Sequence, residues 1–543
     1  MTLCSVAPFF LAFCLLPRSF STASTVGNQR TLQLNRKWTQ LGNDIDGVAT
    51  NDWLGYSVAI SGDGKTIVAG APIYSKKSGS DNRTPSVIYD CGSNELVSEN
   101  GNLYNDDRSG TASTSGYAQV FGYSNGSWNQ LGDDIKIDGH IDWFGRSVSM
   151  SEDGRAIAVG VPLYSPQRYG SRLGHVRVFE YSRGYWNQLG DDIDGKVTDA
   201  HFGYSVAMSG DGRTLVAGEP LNGKNNRNRS YSGQARVFEF SSGSWKQLGT
   251  DISGETAGDN FGASVAMSED GSTIVVGGPL NDRNGIASGH VRVFEYVSGT
   301  WNQLGDTIDG EAAGDNFGSS VAISKDGKTI VGGGHSPERN GRDSGHARVF
   351  EYSSETWNQL GNVIDGDAAG DMFGASVSMS GDGRTIAAAA VQESGNGAGI
   401  GYARVFEYSS EVWNQVGNDI EGEGANDMFG TSVAMSEDGR TIVAGALKRD
   451  DGDNAGQVRV FTRPTDIELG KSSGFTGAIT VGVLILFAGA AYFVWKRTLK
   501  LRTKSNHGAT ELVPIKGEGG FFDVVASIVP ISLAVPVDGH DID

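Results

Sequence analysis

Three cysteines in 543 residues leave almost no disulfide chemistry. Cys4 and Cys14 fall within the first 16 residues and Cys91 stands alone, so an exported fold must hold itself together by packing. Proline is scarce too: with only 13 prolines the 79 glycines do not make collagen, which needs Gly at every third position and abundant Pro. Basic charge is short, with 44 Lys and Arg against 64 Asp and Glu, a balance that repels nucleic acid and anionic lipid. No helix-length hydrophobic period runs between residues 38 and 461. What the chain does have is turns and core material, since its 50 Trp, Tyr and Phe residues offer more burial than a disordered acidic chain carries.

The two ends differ from the middle. Residues 1–23 read as a secretory signal peptide, with an uncharged apolar run from Val6 to Leu16 and small residues up to Ala23. Residues 475–495 form an uncharged stretch long enough to span a bilayer as a helix, and Lys496, Arg497, Lys500, Arg502 and Lys504 follow. Basic flanks stay on the cytoplasmic side, so the expected arrangement is single-pass type I. The part before it is then extracellular or lumenal, joined by the linker 462–474, and 496–543 is a cytoplasmic tail. Between residues 24 and 474 there are 37 basic and 58 acidic side chains, so the acidic surplus belongs to the exported part.

A Trp followed by a Gln-Leu-Gly type tripeptide recurs at Trp38, Trp128, Trp186, Trp245, Trp301, Trp357 and Trp413, the later copies 56 to 59 residues apart. Each Trp leads into an acidic Gly-bearing loop, an aromatic-Gly step with Ser-Val-Ala, a Ser-x-Asp-Gly turn, a Thr-Ile-Val-Ala-Gly run and an Arg-Val-Phe-Glu-Tyr run. Four runs per unit are rich in Val, Ile, Phe and Tyr and bounded by turn residues, so they read as strands. The Asp-Gly pairs, from Asp63-Gly64 to Asp438-Gly439, join the second run to the third. Four strands in each of seven units predict an all-β fold, a seven-bladed β-propeller over residues 38–461, with an insertion at about 74–115 in the first copy. The series opens on a Trp strand and ends on an Arg-Val-Phe strand, so Trp38 to Gly42 should pair antiparallel with Gln457 to Phe461 and complete the seventh blade.

These motifs resemble the FG-GAP repeats of the integrin α-subunit propeller. The likeness rests on Phe-Gly-x-Ser-Val-Ala, on Val68 to Pro72 with variants at Val276 to Pro279 and Ala217 to Pro220, and on Val-Arg-Val-Phe. It implies an extracellular ligand-binding or adhesive module. The sequence departs from that family at its calcium hairpins, here reduced to Ser-x-Asp-Gly. It also lacks the stalk domains, since only 13 residues separate Phe461 from Phe475, and the Gly-Phe-Phe-Lys-Arg segment after the membrane.

The acidic loop is the most suggestive site. Counting back from each Phe-Gly, acids fall at loop positions 1, 3, 5 and 9, a spacing that can turn oxygens toward one Ca2+ ion. The seventh copy carries all four, Asp419, Glu421, Glu423 and Asp427; the alternative is a polar turn in which one Asp caps the backbone. One Arg per copy (Arg177, Arg236, Arg292, Arg348, Arg404, Arg459, with Gln119 in the first) should pair across strands with acidic neighbours. The repeated Trp should pack between blades, and His175, His290 and His346 sit at one repeat position in separate units. Asn82, Asn125 and Asn228 fit the N-glycosylation pattern. The insertion, with Cys91, is either functional or a decoration, and the tail either a docking segment or a disordered end.

Polar residues that recur in every unit behave as scaffold, whereas an enzyme needs one convergent set of acid, base or nucleophile. The sequence therefore points to a cell-surface binding or adhesion-like protein that takes a protein or glycan, with an extracellular glycan-processing enzyme as the alternative.

Overall fold

The computed structural model describes residues 37–72, 116–136, 142–165, 172–223, 231–334, 343–391, 399–424, 427–447 and 454–463, and the backbone of 87–90 and 95–98. Seven antiparallel sheets follow the seven repeats. In the fourth, Ser264–Met267, Thr273–Gly278, His290–Val297 and Thr300–Gln303 lie side by side in chain order. A fifth strand of two residues, Ile308–Asp309, pairs with the head of the third. It is too short to carry a sequence period, and for that reason the repeat reads as four strands.

The Ser-x-Asp-Gly turns fold for local reasons. Asp63 Oδ1 accepts from the Ser61 hydroxyl at 2.7 Å and the Lys65 N–H at 2.9 Å, while Ser61 Oγ accepts from Thr66 N–H. Gly64 takes φ of +70°, which a side chain would resist. The second strand is buried along its whole length in five blades, as in Thr441–Ala446, and past its first Thr in blades one and three, because neighbouring blades cover both faces. Its sequence is accordingly a continuous small-apolar run rather than an alternation.

The innermost strands, from Ser57–Ile60 in blade one to Ser432–Met435 in blade seven, touch their neighbours in an unbroken circuit. The ring closes as the order of repeats requires. Thr39–Gln40 pairs antiparallel with Gln457–Thr462, with Gln40 opposite Phe461, and the Leu41 N–H donates to Val460 O at 2.7 Å. The outermost strand of blade seven therefore comes from the start of the propeller and its other strands from the end.

Three circuits of hydrogen bonds join blade to blade. At the rim, every repeated Trp donates from Nε1 to a carbonyl of the preceding blade, from Trp38 to Val416 O at 2.8 Å round to Trp413 to Leu360 O at 2.7 Å. The Trp is thus the between-blade residue its recurrence predicts. Near the axis, the serine at the start of each inner strand bonds the backbone of the next blade, as Ser264 Oγ does to Gly318 O at 2.7 Å.

The third circuit lies on the face bearing the Ser-x-Asp-Gly turns. The x residue of each turn donates its N–H to the x carbonyl of the next: Gly62 to Glu152, then Gly210, Glu269, Lys325, Gly381, Glu437 and back to Gly62. Lys325 Nζ reaches Glu152 at 3.2 Å, Glu269 at 2.9 Å and Glu437 at 2.9 Å. One lysine of blade five thus ties blades two, four and seven across the axis and caps the channel at this end.

The opposite face carries the loops that pass from one blade to the next and those joining second to third strands. The first-copy insertion leaves from this face, and within it Val87–Asp90 and Glu95–Ser98 form an antiparallel pair. Among the described residues no helix is long and apolar enough to cross a membrane. The signal-peptide segment, Cys91, the span 475–495 and the tail lie outside the described residues.

Candidate functional site

The acidic loops of the loop face do not gather their carboxylates. Asp419, at position 1, binds Arg404 of its own blade through two hydrogen bonds of 2.9 and 2.7 Å. Burial would raise its pKa, but Arg404 and Gln415 outweigh that and hold the carboxyl below its usual range. Glu423, at position 5, pairs instead with Arg459 of the following blade at 3.2 Å. Glu421, at position 3, is exposed on the two-residue strand Ile420–Glu421. Asp427, at position 9, accepts the backbone N–H groups of Glu423 and Gly424. Among the described residues no three His, Cys, Asp or Glu side chains are grouped to hold a metal ion.

The spacing that suggested a cation serves guanidinium groups instead. Position-5 acids Glu255, Glu311 and Asp367 pair with Arg292, Arg348 and Arg404 of the next blade, and the position-1 residue Asp192 pairs with Arg177 of its own. The guanidinium groups of Arg292, Arg348 and Arg404 also lie over aromatic rings, as Arg348 does over Phe317 at 4.9 Å and Phe350 at 4.8 Å. The strand arginines therefore bind in the seams between blades, away from the axis.

Position 9 holds a buried carboxylate in six blades: Asp52, Asp142, Asp259, Asp315, Asp371 and Asp427. Blade three has Ala200 there, and its carboxylate comes from Glu219 at the end of the second strand. Glu219 is fully buried beside Arg236 and accepts from Asn222 at 2.9 Å and from Gln234 at 2.5 Å. Facing these acids is the head residue of the third strand. Tyr117 and Tyr402 donate to Asp52 and Asp371 at 2.8 and 2.9 Å. His175 and His290 occupy the same register and are fully buried, and among the described residues their ring nitrogens have no hydrogen-bond partner. Burial pushes the pKa of His290 down to about 4, against the pull of Asp259. Burial pushes Asp142 up to about 7, although the N–H groups of Phe144 and Gly116 favour its charged form.

The sevenfold pattern also breaks on this face beside the inner strands. The residue before each Phe-Gly or Leu-Gly step has positive φ in every blade, yet it is Trp53, Trp143 and His201 in blades one to three and Asn260, Asn316, Met372 and Met428 in blades four to seven. The residue after the step is Tyr56, Arg146 and Tyr204, then Ala263, Ser319, Ala375 and Thr431. Arg146 lies between two rings, 4.8 Å from Tyr56 and 4.1 Å from Tyr204, so a side chain of blade two touches blades one and three. Trp53 stacks on Tyr56 at 6.4 Å, and Trp53, Tyr56, Trp143, Leu163 and Leu447 of blade seven form one buried apolar cluster, beside which Arg146 is half-buried. Burial, reinforced by Arg172 and Arg146, lowers the pKa of His201 to about 4.

The large side chains thus converge over blades one to three at the loop-face end of the channel. A search for residues that recur passes over them, because their signal is non-recurrence at positions flanking the Phe-Gly step. A recess of about 670 Å³ lies in the seam between blades six and seven, where Asp419, Glu421 and Arg459 line it.

Residues 253–294, 307–350 and 421–461 match the family described as FG-GAP repeat. These three segments are FG-GAP repeats set within a seven-bladed β-propeller, a class of fold used for ligand binding. Similar solved structures include U3-55K, at 12% identity, covering 78% of this chain and 98% of that one with a TM-score of 0.44. The Dos1 propeller shares 14% identity over 78% and 95% of the two chains, TM-score 0.43. The periplasmic gluconolactonase PpgL of Pseudomonas aeruginosa shares 16% over 68% and 86%, TM-score 0.43. A search of curated proteins found no match.

Proposed function

We propose that this protein is a cell-surface, adhesion-like binding protein whose exported propeller is held by the span 475–495 and takes a protein or glycan on its loop face. The observation that carries this reading is the break in sevenfold symmetry at Trp53, Tyr56, Trp143, Arg146, His201 and Tyr204. Scaffold positions repeat, whereas recognition of one ligand needs a unique set of groups. Aromatic rings around a guanidinium are also the residue types enriched where proteins bind partners.

The test is binding of the purified full chain, in lipid nanodiscs, to arrays of cell-surface proteins and glycans. Arg146→Ala is expected to weaken the bound ligand at least about tenfold, or ~1.4 kcal/mol, at a temperature well below the variant's own thermal midpoint. Equal binding by the variant, or turnover of a glycan substrate by the parent chain, would overturn the reading.

Export carries its own check. Asn125 is exposed at the tip of the hairpin between Tyr117–Ser124 and Ser127–Gln130, with open space around Gly126. Asn125→Gln expressed through a eukaryotic secretory pathway is expected to lose one N-glycan, read as a mobility difference that endoglycosidase erases. Asn82 and Asn228 lie outside the described residues.

A further inference from the structure

We propose that the cleft between blades six and seven is a second binding site, separate from the loop-face cluster, and that it takes a neutral oligosaccharide. The cleft is a product of how the ring closes. The outer strand of blade seven, Thr39–Gln40, comes from the start of the propeller, whereas in the other blades it returns from a hairpin with the third strand, as Thr300–Gln303 does. The seam is also built on a smaller residue. The Trp of each blade bonds a Leu carbonyl of the preceding blade at six seams and the Val416 carbonyl at this one. A recess of about 670 Å³ is left, within the range of small-ligand sites.

Its lining decides the ligand class. Asp419 and Arg459 of the lining are already paired, with Arg404 and with Glu423, so Lys37 and Glu421 leave one charge of each sign facing the recess. An anion would meet Glu421 and a cation Lys37, while an apolar ligand would cover charged groups without pairing them. A neutral ligand dense in hydroxyls avoids all three costs, because each hydroxyl both donates and accepts. The walls offer both kinds of partner, with amides at Gln415 and Asn418 beside the charged groups. Arg459 is a fixed wall of the recess: its plane lies over Phe461 at 5.0 Å, its nitrogens donate to Glu421 O at 3.1 Å and to Gln40 Oε1 at 3.0 Å, and it pairs with Glu423 at 3.2 Å and Asp44 at 3.6 Å. A donor set fixed before binding loses less freedom when a ligand arrives.

The experiment is calorimetric titration of the full chain with maltotriose, cellotriose, mannotriose and triacetylchitotriose. At least one is expected to bind. Asn418→Trp, which fills the cleft from an exposed position, should abolish that binding, and Glu421→Ala should weaken it at least about tenfold. Asp306→Trp, at the matching exposed position two seams away, should leave it unchanged, as should Arg146→Ala in the loop-face cluster. Failure of all four sugars to bind, or binding that survives both cleft variants, overturns this proposal. Sensitivity to Arg146→Ala without sensitivity to the cleft variants also overturns it, because the sugar then sits on the loop face.

Discussion

Replacing Trp38 by Ala is expected to do more damage than the same change at Trp301. Each change removes a between-blade indole and its hydrogen bond, 2.8 Å to Val416 O or 2.9 Å to Leu248 O; Trp38 is buried and Trp301 half-buried, so the local loss is ~3–5 kcal/mol at Trp38 and smaller at Trp301. The larger difference is covalent. Trp301 sits on a strand tied by hairpins to the rest of its blade, whereas Trp38 anchors the strand that joins two distant parts of the chain. When Thr39–Gln40 detaches, Gln457–Thr462 is left as an edge with unpaired N–H and C=O groups, which invites pairing with another chain. Trp38→Ala should therefore lower the guanidinium midpoint and also give concentration-dependent association by light scattering. Trp301→Ala should show only the first effect. A monomeric Trp38→Ala protein would argue against the closure strand as the weak point of the ring.

Acidification from pH 7 to 5 is expected to destabilise the propeller, and His290→Gln to spare about 2 kcal/mol of that loss. His290 titrates near 4 in the folded chain because it is buried, against 6.5 for a free imidazole. Its contribution is thus complete above about pH 6.5 and is lost as the pH falls toward 4. His175, lowered to about 3 by burial and then by Arg177, acts in the same sense. Asp142 acts in the opposite one. Its carboxyl is raised by burial from 3.8 to about 7, so its contribution is intact below the unfolded value and is lost as the pH rises through 7. Asp142→Asn should accordingly gain on the parent at pH 8 and not at pH 5. Gln is the replacement of choice for His290 because Gln234 and Gln457 hold the same register in blades three and seven. Unfolding midpoints at pH 5, 7 and 8 decide, and parallel curves for parent and His290→Gln would remove the imidazole from the account.

Much of the architecture could be read from the residues, because each blade repeats the same local instructions. Asp-Gly hairpins, the between-blade Trp and the pairing of the two ends all follow from order and spacing. The acidic loop was legible as a spacing but not as a contact. Whether Glu423 meets a cation or Arg459 depends on the next blade, 36 residues further along. The transfer of the buried carboxylate from Ala200 to Glu219 is likewise invisible until both positions are seen to face one pocket. The cluster around Arg146 is hidden for the opposite reason: its residues depart from the repeat one by one, and only the fold brings Tyr56, Arg146 and Tyr204 within one stack.

The circuit of x residues on the turn face obeys a rule of parity. A Glu side chain lies against the Gly of the preceding blade at three places, with Cγ 2.6 to 2.7 Å from where a Cβ would be built on Gly62, Gly210 and Gly381. Large and small must therefore alternate round the axis. Seven is odd, so the alternation has to fail once, and it fails between Glu269 and Lys325, where two long side chains are neighbours. The fault is tolerated because the two carry opposite charges and meet at 2.9 Å. Lysine at that turn is thus a consequence of blade number. A ring of six or eight blades built on the same alternation would have no mismatch for a lysine to resolve.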